Sequence, residues 1–265
     1  MSTTATSDID IDAAGIDAWL DANWDPDLTV RAWWARLAAD GLANPVLPPP
    51  FGRGWPRSRA NALARAMMTR GALGPPAGLG MMLAAPTLLA HGSPELVERF
   101  VPRILDGEHG WCQLFSEPGA GSDLAGLQTR AERDGDEWVI TGQKVWTSLG
   151  QWADYGILIA RTAPDLPKHR GLSYFVFPMR QDGVEVRPLR EMTGRALFNE
   201  VFIDEARVPP RPLGRRAQRR LAASEHDADG RAQQHRRRVG DGAERCDPRH
   251  DLGPPRPPRR VVRER

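Results

Sequence analysis

Cysteine is almost absent from this chain, with Cys112 and Cys246 the only two in 265 residues. No disulfide framework is indicated, and a reducing compartment is the expectation. Long apolar runs are lacking as well. The longest, MMLAAPTLLA over residues 81–90, is about half of a ~20-residue membrane span. The N-terminus carries Asp8, Asp10 and Asp12 where a secretory signal needs basic residues followed by an apolar core. Together these absences predict a cytoplasmic protein with no membrane partner. Metal-ligand spacing is missing too, because His91 and His109 stand without partners at the intervals a metal site uses; no metal is expected. Large apolar side chains are missing from the end of the chain. Residues 214–265 contain no Phe, Tyr, Trp, Ile or Met, and all nine tryptophans lie at or before Trp152. A segment so composed cannot bury enough surface to offset its ordering entropy, so 214–265 reads as a disordered tail.

The formal net charge of +2 conceals a division at the same place. Residues 214–265 hold fifteen arginines against eight acidic residues, an excess of +7, which leaves −5 for the rest of the chain. Clustered arginine brings a nucleic-acid module into consideration, since it gives salt-dependent phosphate affinity. The interleaved aromatics that would favour that reading are absent, and no nucleic-acid partner is expected.

From Ile9 to about Gly107 the apolar spacing is helical: Ile16, Trp19 and Leu20, then Val30, Trp33, Trp34 and Leu37, then a stretch from Ser58 through Met68. GLANPVLPPPFGRGWP between them is too rich in Gly and Pro to be an element. Two more helices are expected before Gly107, the second capped by Ser93 with Pro94 at its first position. Met67, Met68, Met81 and Met82 read as helix packing. From Trp111 the period becomes alternating. EWVITGQKVWTS predicts a hairpin turning at Thr141-Gly142, and YGILIAR, LSYFVFPM, VEVRPL and NEVFIDEARVP predict further strands. The fold class is α+β, a helical region followed by a β-region.

One turn stands out. EPGAGSD follows the strand WCQLFS, and glycines there let a backbone approach a ligand while its amides face an anion. It lacks the Lys-Ser or Lys-Thr of a P-loop, and it opens no parallel βαβ unit, so a dinucleotide-binding Rossmann reading fails. Taken alone, such a turn is more often only a turn.

Four motifs in fixed order, QLFSEPGAGSDLAGLQTRAE, DEWVITGQKVWTS, HRGLSYFVFPM and FNEVFIDEARVP, together resemble the acyl-CoA dehydrogenase family over roughly residues 9–213. The resemblance implies an N-terminal helical domain over 1–110 and a middle β-barrel domain over 111–213, with FAD as cofactor and an acyl-CoA thioester as substrate. It implies that Gln113, Leu114, Phe115 and Ser116 lie along the flavin ring, with Ser116 keeping the hydroxyl that many relatives supply from Thr. Gly119, Ala120, Gly121 and Ser122 would meet the FAD pyrophosphate, Ser122 also the CoA end of the substrate. Trp146 would cover the flavin, with Thr147 and Ser148 bonding its edge. Without the resemblance, Trp146 would read as ordinary core, Ser148 as a strand-end cap and Asp123 as a helix N-cap.

The reaction so implied is α,β-dehydrogenation. A carboxylate base removes the α-proton, the β-hydrogen moves as hydride to the flavin, and hydrogen bonds stabilise the enolate charge. The family's base comes from a third, C-terminal helical domain, so no catalytic residue is assigned here. After VPPRPLG the chain departs from the family pattern. Permissible codons for Arg215 through Gly240, read one base later, spell GERNGGWRLANTTLMAERSNIGGGS, which closely resembles how the family opens that third domain. The expectation is a frameshift at about Gly214, loss of the third domain, an inactive chain and impaired oligomerisation in a family of homo- and hetero-oligomers. A noncatalytic or vestigial flavin/acyl-CoA-binding subunit is the alternative, and an acyl-CoA oxidase the nearest rival among enzymes.

Overall fold

The computed structural model describes residues 13–209. The expected disordered tail and the point of departure at Gly214 lie outside the described residues. Helices α1 (Ala13–Asn23), α2 (Val30–Ala39) and α3 (Arg57–Thr69) are followed by a π-helical turn, Gly80–Ala84, that runs into α4 (Ala85–His91); α5 (Pro94–Leu105) ends the helical segment. Local chemistry sets several boundaries. Thr29 Oγ1 accepts the Ala32 amide at 3.2 Å and Ser93 Oγ the Leu96 amide at 3.4 Å, each satisfying a donor that a helix start leaves unpaired. Helix α5 buries Phe100, Val101, Ile104 and Leu105 along one stripe. It stops before Gly107, whose φ of +72° suits glycine and whose missing Cβ would stand 2.4 Å from Trp34 Cε3. Of the methionines expected to pack helices, Met67 is buried, whereas Met68 and Met82 are exposed.

Seven strands follow: β1 (Trp111–Leu114), β2 (Arg130–Asp134), β3 (Glu137–Ser148), β4 (Tyr155–Arg161), β5 (Leu172–Pro178), β6 (Val184–Leu189) and β7 (Phe198–Val208). They form one mixed sheet in the order β1-β4-β2-β3-β7-β6, with β5 also paired to β4. β1 runs parallel to β4, and β3 runs antiparallel to both β2 and β7. The sheet curls without closing: no ladder among the described residues joins β6 to β1 or β5, so a half-barrel stands where a barrel was expected. Its core is filled by Cys112, Leu114, Leu158, Phe175, Phe177 and Val201, each large side chain contributing roughly 1.5–3 kcal/mol on full burial.

The hairpin also lies elsewhere than expected. The reversal is at Gly135-Asp136, between the paired residues Asp134 and Glu137, where Gly135 has a φ of +58° and glycine at the first loop position favours a two-residue turn. Thr141-Gly142 lies inside the continuous strand β3, at a register shift against β7 between Ile140 and Gly142. Glycine there answers a close approach rather than a turn, since a Cβ on Gly142 would lie 2.7 Å from Thr129 Cα. The helical segment meets the sheet through edge-on aromatic packing of Phe100 with Trp111 at 5.7 Å and with Tyr155 at 5.0 Å.

Candidate functional site

Strand β1 alternates its side chains between two environments. Cys112 and Leu114 enter the sheet core, while Trp111 and Gln113 line a cavity of about 360 Å³ between the helical segment and the sheet. Leu114 is fully buried, so its backbone alone can face a ligand. Past the strand, Phe115 packs edge-on against Tyr174 at 5.7 Å. Glu117 and Ala120 then exchange two backbone hydrogen bonds, 2.9 and 3.1 Å, closing a tight turn. Gly119, Gly121 and Ser122 are exposed on it. Neither glycine has a positive φ, and a Cβ on either would meet nothing within 4 Å among the described residues. No internal packing or backbone conformation requires glycine at 119 or 121, and the space they leave faces outward.

The second part of the site is a bulge. The β3–β7 register shifts between Lys144 and Thr147, and Trp146 between them has a φ of +60°. A left-handed conformation costs a residue with a Cβ about 1–2 kcal/mol, and bulges re-aim side chains next to sites. The result is an indole 62% exposed, resting edge-on against Phe198 at 5.9 Å rather than packed inward as an uninterrupted alternation would place it. Thr147 turns inward, fully buried, and its Oγ1 has no partner among the described residues. Its carbonyl accepts from Asn199 Nδ2 at 2.9 Å, and that amide also donates to Gln151 Oε1. Ser148 is half-buried and lines the cavity.

A buried ion pair joins the turn to the bulge. Lys144 Nζ donates to Glu117 Oε1 at 2.9 Å and to the Phe115 carbonyl at 3.1 Å, with the two side chains 0% and 6% exposed. The Glu117 carboxylate also accepts the backbone N–H of Gln128 at 2.6 Å and of Thr129 at 2.9 Å. Burial opposes its charge, yet the Lys144 ammonium and these donors outweigh burial and hold its pKa below the ordinary value. For Lys144 burial wins, pushing its pKa down to about 8 against the pull of Glu117.

Of the residues singled out from the sequence, Gln113, Trp146 and Ser148 meet around the cavity, together with Trp34 and Gly80 from the helical side and Trp152 from the 3-10 turn Gly150–Trp152 between β3 and β4. Phe115 and Ser116 border the bulge, the Ser116 carbonyl accepting the Val145 amide at 2.9 Å. Gly121 and Ser122 do not line the cavity. Asp123, read as a possible N-cap, precedes the short 3-10 turn Leu124–Gly126 without a capping bond; its carboxylate is paired with Lys168 at 2.8 Å. Glu117, Lys144, Asn199 and Trp152 are the site residues that sequence reasoning passed over. For Lys144 alternation gave no signal, since it places the residue on the face opposite Val145 and Thr147, and only at the bulge are the adjacent Lys144 and Val145 both buried. Among the described residues no group of three or more His, Cys, Asp or Glu is placed to hold a metal ion, and no helix is long and apolar enough to cross a membrane.

Residues 112–205 match the family model described as acyl-CoA dehydrogenase, middle domain. Acyl-CoA dehydrogenase FadE34 of Mycobacterium tuberculosis is 51% identical over 173 residues, covering 65% of this chain and 24% of that protein. Acyl-CoA dehydrogenase IpdE1 of the same organism is 47% identical over 179 residues, covering 67% of this chain and 46% of the relative. The chain thus spans less than half the length of either. The ChsE4-ChsE5 complex from Mycobacterium tuberculosis superposes with a TM-score of 0.63 at 30% identity, covering 85% of this chain and 61% of that one.

Proposed function

Through its middle domain the chain belongs to the acyl-CoA dehydrogenase family, and we propose that it is the helical and middle part of a FAD-dependent enzyme that desaturates an acyl-CoA thioester. In this reading residues 1–110 are the family's N-terminal domain, 111–213 its middle domain and 214–265 an out-of-frame tail. The observation that carries the proposal is the outward-facing glycine turn set beside the strained Trp146 bulge.

The residues present fit FAD. A pyrophosphate needs backbone amides that side chains do not obstruct, and Gly119 and Gly121 leave such space. A flavin edge needs fixed hydrogen-bonding groups, and the half-buried Ser148 at the cavity wall offers one. Gln113, Leu114, Phe115 and Ser116 would hold the ring by their backbone groups and the Ser116 hydroxyl. Gly121 and Ser122 would meet the pyrophosphate, Ser122 also the CoA portion. Trp146 would cover the ring and Ser148 bond its edge, whereas Thr147, expected to share that bond, is buried on the inner face and offers the ring no hydroxyl. When bound, the flavin supplies a hydride acceptor, which no side chain provides. The cavity beside Gln113 and Trp111 would exclude water from the acyl group. Its volume of about 360 Å³ falls within the roughly 300–1,000 Å³ of small-molecule sites.

No carboxylate is assigned as base, and the chain as written is proposed to be inactive. One wall of a site leaves much of a ligand wet and forfeits preorganisation, so the purified 265-residue protein should hold FAD weakly or not at all. Restoring the reading frame after Gly214 should give a yellow protein with tightly bound flavin, and Ser122→Trp in that repaired protein should weaken it by blocking the turn. Stoichiometric FAD in the unrepaired chain, or unchanged binding in repaired Ser122→Trp, would overturn the proposal. A noncatalytic subunit is the second reading, favoured by the likeness to a protein solved as a two-component complex.

A further inference from the structure

We infer that Glu117 and Lys144 are positioning residues, whose ion pair clasps both ends of the turn 117–129 to the strand carrying Trp146, so that turn and indole present one ligand surface. The effect on flavin rests on the function proposed above; the clasp itself does not.

Three stretches of backbone converge on this pair. The Lys144 ammonium takes the Phe115 carbonyl as β1 ends and the Glu117 carboxylate as the turn begins. That carboxylate takes the Gln128 and Thr129 amides as the turn returns. Lys144 is also the last residue in regular register before the bulge that turns Trp146 outward. Arg161 also holds the returning half, its guanidinium donating to the Ala125 carbonyl at 2.7 Å and the Leu127 carbonyl at 3.1 Å, whereas little besides the clasp holds residues 118–123. Pro118, Gly119, Gly121, Ser122 and Asp123 are exposed, and the Asp123–Lys168 pair, with side chains 63% and 51% exposed, is screened by water and holds weakly.

Stability alone does not explain two buried charges, because well-packed apolar side chains of similar volume often do as well or better. Apolar side chains cannot accept two backbone N–H groups from residues 128 and 129 or donate to the carbonyl of residue 115. The charges therefore specify the path of the turn, and through Lys144 they tie that path to the bulge.

The test compares the 265-residue protein with the double variant Glu117→Gln, Lys144→Met, which removes both charges at nearly constant shape. The introduced side-chain amide must turn its nitrogen toward one of the two backbone N–H groups, so one donor loses its acceptor. Hydrogen exchange at the hydrogen-bonded amides of residues 120, 126–129 and 145 should accelerate about tenfold or more, while β4 and β5 keep their protection and the urea midpoint stays close to the parent's. FAD titrated to millimolar concentration against the same proteins, followed by flavin fluorescence, should bind about tenfold more weakly to the variant. A double variant with unchanged exchange in the turn overturns the clasp. Accelerated exchange with unchanged FAD affinity overturns the single ligand surface. The frame-restored protein, with and without the same two substitutions, repeats the titration; a frame-restored parent that takes no FAD overturns the flavin reading, and the exchange comparison then decides the clasp alone. Should the double variant not fold, Glu117→Asp keeps the charge and shortens its reach. Faster exchange at Gln128 and Thr129 supports the clasp, and unchanged exchange there overturns it.

Discussion

Replacing Gly142 by alanine adds one methyl group where strand β3 crosses the end of the turn. The new Cβ would stand 2.4 Å from Thr129 Oγ1, 2.7 Å from Thr129 Cβ and 2.7 Å from Thr129 Cα. Thr129 is fully buried and tethered on both sides, its amide to Glu117 at 2.9 Å and its carbonyl to the Arg161 amide at 2.8 Å. It cannot retreat without giving up one of these bonds. Overpacking of this kind costs about 1–3 kcal/mol, and a protein of 150–250 residues loses roughly 2–4 °C in melting temperature per kcal/mol, so Gly142→Ala should melt about 2–12 °C below the parent in a calorimetric scan. Thr129→Ala as a second substitution should rescue it only in part, because the clash with the backbone of residue 129 persists. A melting temperature within about 1 °C of the parent, or full rescue by Thr129→Ala, would refute the view that backbone approach is what requires glycine here.

Three other outcomes are expected. Gly121→Ala should leave the melting temperature unchanged or slightly raised, since the methyl meets nothing and an alanine restricts the unfolded chain; in the frame-restored protein it should weaken FAD binding, measured by equilibrium dialysis. Lys144 should make a pH-dependent contribution with a definite sign. Its folded pKa is about 8 against 10.5 for free lysine, so between those values the unfolded chain holds the proton that the native chain has released. Stability from this residue then rises with pH. The urea-midpoint difference between parent and Lys144→Met should shift in the parent's favour from pH 8 to pH 10, and a flat difference would contradict the assignment. Finally, a dye-coupled assay with a panel of acyl-CoA thioesters should find no turnover by the 265-residue chain, and robust flavin-dependent activity would show that a base is present after all.

Helices were legible where a stripe of apolar residues had only one place to go. Trp33 and Leu37 are buried four residues apart on α2, and Ser93-Pro94 starts α5 as its chemistry dictates. Strands β4 through β7 were legible from their β-branched and aromatic runs. Legibility failed where a strand departs from regular pleating. Alternation carries no mark of a bulge, so by alternation alone Trp146 would be core, yet it is exposed, and Gly142 read as a turn and is a crossing point.

The amino-acid sequence by itself determined the order of helical and β segments, the division of composition at about residue 214, and the wording of the motifs by which the family is recognised. These depend on local spacing and side-chain type, which a linear chain displays directly. Tertiary structure alone decided that Glu117 and Lys144 meet, that Gly119 and Gly121 face outward, and that Gln113, Trp146 and Ser148 share one cavity. Those facts depend on which segments cross and at what register. The long-range burial and hydrogen bonding that fix register belong to pairs of segments, and neither segment reveals them alone.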